Sequence, residues 1–155
     1  MFKVLYICTH NRCRSILAEA LTTEYSSDFL LARSAGSQPA GVVYQGTIDY
    51  LSNRGIATGN LASQSWDVHE SFAPDIVITV CDSAAGEACP LWMGNTLKVH
   101  WGLKDPSKLA INEQPAAFSE VADTILKRLN FVRSHMDHVA TAIDLQTVFK
   151  QAIDI

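Results

Sequence analysis

The chain has 155 residues, 48% of them hydrophobic, and a formal net charge of −4. This length suits one domain with a sizeable core, and residues 1–155 are expected to form it. A mildly acidic chain without a basic cluster argues against nucleic-acid binding. No apolar run approaches the length of a membrane-spanning helix, and the apolar opening is too short for a signal peptide, so a cytoplasmic location is expected.

The first element is a short strand that leads into a helix. Val4 to Ile7 is an apolar run typical of a buried strand, and apolar residues recur at helical spacing from Cys13 onward. Cys8 therefore lies where a strand passes into a helix N-terminus. The first N–H groups of a helix have no partner within it, and the helix dipole adds partial positive charge there. The turn after Cys8 is therefore expected to bind an oxyanion.

The residues of this turn predict a nucleophile within an anion-binding loop. The positive field favours the thiolate of Cys8, Ser15 can donate its hydroxyl to the sulfur, and Arg14 can grip two oxygens of an anion. Asn11 tolerates the left-handed backbone that a tight loop needs. The alternative is a buried structural cysteine beside a surface arginine, which the joint pattern disfavours. The predicted anion-binding residues are Thr9, His10, Asn11, Arg12, Cys13 and Arg14.

The loop Cys8-Thr-His-Asn-Arg-Cys-Arg-Ser15 resembles the Cys-x-x-Asn-x-Cys-Arg-Ser loop of the low-molecular-weight protein tyrosine phosphatase superfamily, which includes the thioredoxin-coupled arsenate reductases. The resemblance implies a three-layer α/β fold with a four-stranded parallel sheet flanked by helices. His10 departs from the family pattern, which often has glycine there. Its side chain is expected to crowd the anion or to line its entrance. Cys13 lies close to Cys8 and is expected to pack against the sheet, with a protective disulfide as the alternative.

The remaining elements alternate between strand and helix. They are predicted as a strand at residues 29–33, a helix from Tyr44 to Asn53, a strand from Ile76 to Val80, a strand from Leu97 to Trp101 and a long helix from Ala116 to about Ala142. Such alternation predicts a parallel sheet with ligands beyond the carboxyl ends of its strands. Cys8, Cys81 and the segment 100–105 each follow a strand, so they are expected to meet at one edge.

Two further cysteines, Cys81 and Cys89, follow the third predicted strand. Their spacing does not match a zinc site, and a cytosolic chain is not expected to hold a disulfide framework. A phosphatase has no use for them, whereas a reductase of an oxyanion must end with a disulfide. If the intervening segment is helical, their Cα atoms lie ~12 Å apart. The segment must then unwind before oxidation, which Gly86 favours. Two structural cysteines remain the alternative.

The segment after the fourth strand contains a candidate acid. Pro106 restricts the backbone after Asp105, and a carboxyl group that protonates a leaving oxygen suits both phosphoryl transfer and arsenate reduction. His100-Trp-Gly-Leu-Lys-Asp105-Pro106 resembles the His-Trp-Gly-x-x-Asp-Pro of the reductases, which implies the acid role for Asp105. The resemblance also implies that Cys81 and Cys89 form the redox pair. No tightly bound cofactor is expected, but some reductases of the group bind potassium, which here implies a site at Asn11, Glu19, Ser34 and Asp67.

The resemblance implies that the protein reduces arsenate to arsenite. Cys8 attacks arsenic, Cys81 then attacks Cys8, Cys89 attacks Cys81, and thioredoxin reduces the final disulfide. Phosphate and sulfate are expected to bind the loop as analogues. The alternatives are a phosphotyrosine phosphatase, which needs neither Cys81 nor Cys89, a reductase recycled by glutathione and glutaredoxin, and a non-catalytic sensor of anions or redox state.

Overall fold

Strands and helices alternate as far as the fourth strand in the computed structural model, which describes residues 1–155, and two helices follow. Short 3-10 turns join several of these elements, and none of the helices is long and apolar enough to cross a membrane. In chain order the strands and helices are β1 Phe2–Ile7, α1 Arg14–Ser26, β2 Leu30–Ala35, α2 Gln45–Asn53, β3 Ile76–Thr79, α3 Asp82–Ala85, β4 Leu97–His100, α4 Gln114–Ser134 and α5 Ala142–Gln151.

The four strands form one sheet in the order β2-β1-β3-β4, and every neighbouring pair is parallel. Residues Val4 to Ile7 of the inner strand β1 are at most 1% exposed, because strands flank it on both sides and helices cover the sheet. Helix α1 packs on β1, β2 and α4, whereas α5 packs on β4. The predicted four-stranded parallel sheet flanked by helices is confirmed.

The register of the sheet brings the predicted site residues to one edge. Ile7 of β1 is opposite Thr79 of β3, and Thr79 is opposite His100 of β4. Since the strands are parallel, the chain leaves β1, β3 and β4 on the same side. Cys8 and Cys81 thus follow neighbouring strands, as the element pattern predicts.

The second strand begins and ends later than predicted. It spans Leu30–Ala35 instead of residues 29–33, so Ser34 belongs to the strand and not to the following loop. A serine is tolerated at this buried position because its hydroxyl donates to Glu19 and accepts from Asn11. The helix predicted from Tyr44 is confirmed, with Tyr44 as its N-cap, and Gly55 just beyond it has a φ of 77°.

The prediction of one helix from Ala116 to about Ala142 is wrong in its last part. Helix α4 ends at Ser134, where the Ser134 hydroxyl and the His135 ring both contact the Phe131 carbonyl at 2.7 and 2.8 Å. Such side-chain bonds satisfy the carbonyl that a further turn would use. Helix α5 then starts with a capping box between Thr141 and Asp144.

Helix α5 supports the segment that follows β4. The indole N–H of Trp101 donates to the Phe149 carbonyl at 2.8 Å, and the two ring centroids are 4.9 Å apart. Gln146 donates to the Lys98 carbonyl on the edge strand β4. Trp101 is fully buried and immediately precedes residues 102–105, so α5 anchors the start of the segment that carries Asp105.

Candidate active site

The loop between β1 and α1 has its carbonyl groups turned outward. The carbonyls of Thr9, His10 and Arg12 each accept a backbone N–H at 2.9 Å, and the donors are Gln38, Ala40 and Tyr44. The reversal that this requires occurs at Asn11, whose φ is 46°, as predicted. No backbone N–H from Thr9 to Ile16 donates to another protein group. These free donors, at the N-terminus of α1, suit a tetrahedral oxyanion.

Gly36 permits the chain to pass close behind this loop. A Cβ at this position would lie 2.5 Å from the Thr9 carbonyl oxygen and 2.8 Å from that of Cys8. Any other residue would displace the backbone that holds the anion-binding groups. This role of Gly36 is not predictable from the local sequence, in which it is one glycine of a loop rich in glycine and serine.

A directed chain of hydrogen bonds ends at the Cys8 sulfur. The backbone N–H of Gln64 donates to Asn11 Oδ1 at 2.8 Å, which orients the Asn11 amide because a backbone N–H can only donate. Asn11 Nδ2 then donates to Ser15 Oγ at 2.8 Å. Ser15 Oγ is 2.8 Å from Cys8 Sγ and has its own hydrogen left to donate to the sulfur. This geometry directs a hydrogen-bond donor at the Cys8 sulfur.

Arg14 and Asp105 face each other at the loop. An Arg14 guanidinium nitrogen is 3.5 Å from Asp105 Oδ2, and another donates to the Leu103 carbonyl at 3.2 Å. Asp105 Oδ1 accepts from both the hydroxyl and the backbone N–H of Ser107, at 2.6 and 3.0 Å. Arg12 in turn donates to the Ser107 hydroxyl at 2.8 Å. The structure thus holds the candidate acid beside the arginine of the anion-binding loop.

Cys81 lies against the same loop. Its side chain is buried, and its sulfur is 3.7 Å from the Thr9 hydroxyl oxygen. The sulfur also accepts the backbone N–H of Ala84 at 3.4 Å, at the start of the one-turn helix α3. The geometry therefore places a second thiol one hydrogen bond away from the residue that follows Cys8.

The segment that leads from Cys81 to Cys89 is helical only over the single turn Asp82–Ala85 and does not form a continuous helix between the two cysteines. Neither Ala88 nor Cys89 makes a backbone–backbone hydrogen bond. Cys89 is half-buried and lines a cavity of about 70 Å³ beneath the segment. All four cysteines are free thiols. A segment with so few backbone bonds can rearrange at low cost, as a thiol relay requires.

Two side-chain contacts, neither assigned from the sequence, fasten this segment to the body of the protein. Thr9 donates its hydroxyl to Glu87 Oε1 at 2.8 Å. His100, at the end of β4, contacts Asp82 Oδ1 at 2.9 Å through Nε2 and Thr79 at 2.8 Å through Nδ1. Both contacts join positions at least 18 residues apart, so no local sequence signal indicates them.

Cys13 and His10 are loop residues whose side chains have opposite surroundings, one buried and one exposed. Burial raises the pKa of Cys13 to about 12, with a smaller opposing effect from its hydrogen bond to Thr47. Cys13 is therefore a protonated thiol within the core, which agrees with the expectation that it packs. The His10 side chain is exposed and lies with Nδ1 3.0 Å from the Gln38 carbonyl, so it is directed at the neighbouring loop.

Three of the four residues implied as potassium ligands are linked behind the loop. Ser34 Oγ accepts from Asn11 at 3.0 Å and donates to Glu19 Oε1 at 2.5 Å. Burial raises the pKa of Glu19, and its hydrogen bonds to Ser34 partly oppose the shift. Asp67 is separate from these residues, since its exposed carboxylate contacts Ser65. The buried oxygens of Glu19 and Ser34 suit a cation, whereas Asp67 does not line the cavity that they share.

Comparison with known proteins agrees with this geometry. The family described as low molecular weight phosphotyrosine protein phosphatase matches residues 3–140, and the chain belongs to this family. An arsenate reductase of Halalkalibacterium halodurans is 35% identical over 130 residues, which cover 82% of this chain and 92% of the relative.

Solved structures share the fold. The thioredoxin-dependent arsenate reductase Cg_ArsC1' of Corynebacterium glutamicum superposes with a TM-score of 0.64 at 28% identity, over 84% of this chain and 61% of that one. A low molecular weight protein tyrosine phosphatase of T. tengcongensis superposes with a TM-score of 0.67 over 84% of this chain and 99% of that one. Its identity of 18% supports the likeness of fold alone.

Proposed function

We propose that this protein reduces arsenate to arsenite with Cys8, Cys81 and Cys89 as a disulfide relay. One observation carries the proposal: the Cys81 sulfur lies 3.7 Å from Thr9, inside the loop that presents Cys8 to an oxyanion. A phosphatase of the same family needs the loop, the arginine and the acid, but no second thiol at this place. The name of the relative at 35% identity supports the same activity.

The first step uses the residues of the loop. The free N–H groups and Arg14 bind arsenate, and the Cys8 thiolate attacks arsenic. Asp105 protonates the departing oxygen, which leaves as water. The product is an arsenic(V) adduct on Cys8, in which the S–As bond replaces an As–O bond and arsenic keeps its oxidation state.

The second and third steps transfer electrons. Cys81 attacks Cys8 Sγ, an S–S bond forms, and the electron pair of the S–As bond remains on arsenic, which leaves as arsenite. Cys89 then attacks Cys81 Sγ, Cys8 departs as a thiolate, and the disulfide now joins Cys81 and Cys89. The few backbone bonds of the Cys89 segment support this rearrangement. Thioredoxin is the proposed reductant, with the name of the C. glutamicum structure in support, and glutathione with glutaredoxin is the alternative.

A potassium ion near the loop belongs to the same proposal. Glu19 and Ser34 would hold the cation, which would neutralise the buried carboxylate behind the loop. Asn11 would orient Ser34, because its amide nitrogen donates to the Ser34 hydroxyl and its oxygen accepts from Gln64. Asp67 contacts Ser65 and lies outside this proposed site. A cytoplasmic location is also part of the proposal, because four free thiols suit a reducing compartment.

A phosphatase is the second candidate, and one feature favours it. A groove of about 590 Å³ adjoins Asp105 and is lined by Leu103, Pro106 and Leu109 among other residues. Arsenate is too small to use such a groove, whereas the organic part of a phosphate ester would fit there. Hydrolysis would then pass through phosphorylated Cys8, and Cys81 and Cys89 would be structural.

The test compares the two reactions in one preparation. Purified protein, arsenate, thioredoxin, thioredoxin reductase and NADPH are combined, and NADPH oxidation is followed beside hydrolysis of p-nitrophenyl phosphate. Arsenate-dependent oxidation that Cys8→Ser and Cys89→Ser both abolish is the expected result. Ester hydrolysis without arsenate-dependent oxidation would leave the phosphatase. Replacement of thioredoxin by glutathione and glutaredoxin identifies the reductant.

A further inference from the structure

The Thr9 hydroxyl lies between Cys81 and Glu87. Its oxygen is 3.7 Å from Cys81 Sγ and 2.8 Å from Glu87 Oε1. Glu87 is half-buried and stands in the segment that connects Cys81 to Cys89. Its carboxylate is thus held next to the second thiol of the relay by a residue of the anion-binding loop.

The direction of these two hydrogen bonds follows from the number of hydrogens. A hydroxyl has one hydrogen, and a carboxylate can only accept, so Thr9 donates to Glu87. The Thr9 oxygen is then left as an acceptor towards Cys81, whose S–H must be the donor in the 3.7 Å contact. The three groups form a proton path that leads away from the Cys81 sulfur.

We propose that Glu87 accepts the proton of Cys81, through the Thr9 hydroxyl, when Cys81 attacks Cys8. This inference rests on the proposed function, because it concerns the second step of that relay. As the S–S bond forms and the S–As pair stays on arsenic, the Cys81 proton passes to Thr9 Oγ1 and the Thr9 proton passes to Glu87. The Ala84 N–H stabilises the charge that develops on the sulfur. Glu87 acts through Thr9 and does not itself touch the reacting sulfur or arsenic atoms, so it is a positioning residue and not a catalytic one.

Other titratable groups near this path are already engaged or lie outside it. Asp82 is paired with His100 across the entrance of the segment. Lys98 lines the small cavity with Glu87 and Cys89, and its ammonium donates to the carbonyls of Met93, Gly94 and Thr96. Cys8 is in contact with Ser15. Glu87 is therefore the carboxylate that the Thr9 hydroxyl reaches.

The test isolates the second step in a Cys89→Ser background, where the relay stops at the Cys8–Cys81 disulfide. Stoichiometric arsenate is added, samples are quenched in acid, free thiols are alkylated, and the disulfide is quantified by mass spectrometry. The rate is measured from about pH 6 to about pH 9, which brackets the ordinary thiol pKa of about 8.5. The variants compared are Glu87→Gln, Glu87→Asp and, as a matched control, Glu24→Gln, whose side chain is exposed on α1.

Glu87→Gln keeps the shape and an acceptor for Thr9 but cannot take a proton. We expect it to form the disulfide about 10²-fold more slowly at the acidic end, the low end of what a positioned proton acceptor contributes. The deficit should shrink as solvent ionises the thiol at higher pH. Glu87→Asp should recover part of the rate, and Glu24→Gln should match the parent. Circular dichroism confirms that each variant is folded.

The outcomes separate this inference from the proposed function. If the Cys89→Ser parent forms no Cys8–Cys81 disulfide with arsenate, the relay itself is wrong. If the parent forms it and Glu87→Gln does so at the same rate, the role of Glu87 is overturned while the relay stands. An equal slowing at every pH would indicate a purely structural contact and would likewise overturn the inference.

Discussion

Removal of the Ser15 hydroxyl tests the directed chain that ends at Cys8. The chain runs from the Gln64 N–H through Asn11 to Ser15 and leaves the Ser15 hydrogen for the sulfur 2.8 Å away. Ser15 is fully buried, so water cannot replace the lost donor in Ser15→Ala. The Cys8 thiolate should then be less stable, whereas the thiol form loses little.

The magnitude follows from the charge on the acceptor. A hydrogen bond to a charged group contributes about 1.5–3 kcal/mol. At about 1.4 kcal/mol per factor of ten, the thiolate population at neutral pH falls roughly tenfold to a hundredfold. The Asn11 amide hydrogen that served Ser15 is also left without a partner, which lowers the free energy of unfolding by about 1–3 kcal/mol.

The assay is alkylation of Cys8 by iodoacetamide, with the modified peptide quantified by mass spectrometry. Ser15→Ala should react about ten to a hundred times more slowly than the wild type near pH 7. The two rates should converge at alkaline pH, where solvent ionises the thiol in both proteins. Asn11→Gly keeps the left-handed backbone of the loop, with its φ of 46°, but removes the orienting amide, so it should give an intermediate rate.

The matched control is Ser27→Ala, which removes an exposed hydroxyl at the end of α1. Its alkylation rate should equal that of the wild type. An unchanged rate in folded Ser15→Ala would falsify the assignment of Ser15 as the donor to Cys8. Any stabilisation of the Cys8 thiolate would then come only from the free N–H groups of the loop.

The remaining predictions concern stability. Phe149→Ala should lower the free energy of unfolding, measured by urea denaturation, by about 3–5 kcal/mol, because the ring is fully buried against Trp101. A loss below about 1 kcal/mol would show that α5 is dispensable. Burial raises the pKa of Glu19 in the folded protein. The protonated form of Glu19 therefore stabilises the fold fully at a pH below the ordinary pKa of about 4.3, and this stabilisation is lost as the pH rises through the pKa of the folded state. The melting temperature of Glu19→Gln relative to the wild type should therefore rise with pH, and potassium in place of sodium should narrow that difference. A difference independent of pH would contradict the assignment.

The features that are predictable from the sequence rest on contiguous residues. The strand, the turn with a left-handed residue and the following helix lie within Val4 to Ser26, so local backbone preferences suffice to define the loop and the place of Cys8. The position of Asp105 could be predicted from the sequence for the same reason, because Pro106 and the end of the preceding strand mark it. Their roles and the pairing of Cys81 with Cys89, which spacing alone left open, are implied by the family resemblance and stay predictions.

The errors have local causes as well. Periodicity indicated that the last part of the chain is helical but did not locate the break at Ser134, which depends on side-chain bonds to the Phe131 carbonyl. The capping box of Thr141 and Asp144 was available in the sequence and was overlooked. The strand Leu30–Ala35 was placed too early because a buried serine is an unusual strand residue unless it has partners.

The alternating elements and the short loop after β1 suffice to predict the α/β fold and to place Cys8, Arg14 and Asp105 in one candidate site. The distant groups that complete this candidate site are brought to it by the tertiary fold. Gln64 orients Asn11, Gly36 lets the chain pass behind the loop, and Glu87 meets Thr9 from a position 78 residues away. Such contacts depend on the strand order β2-β1-β3-β4 and its register, which local preferences do not encode.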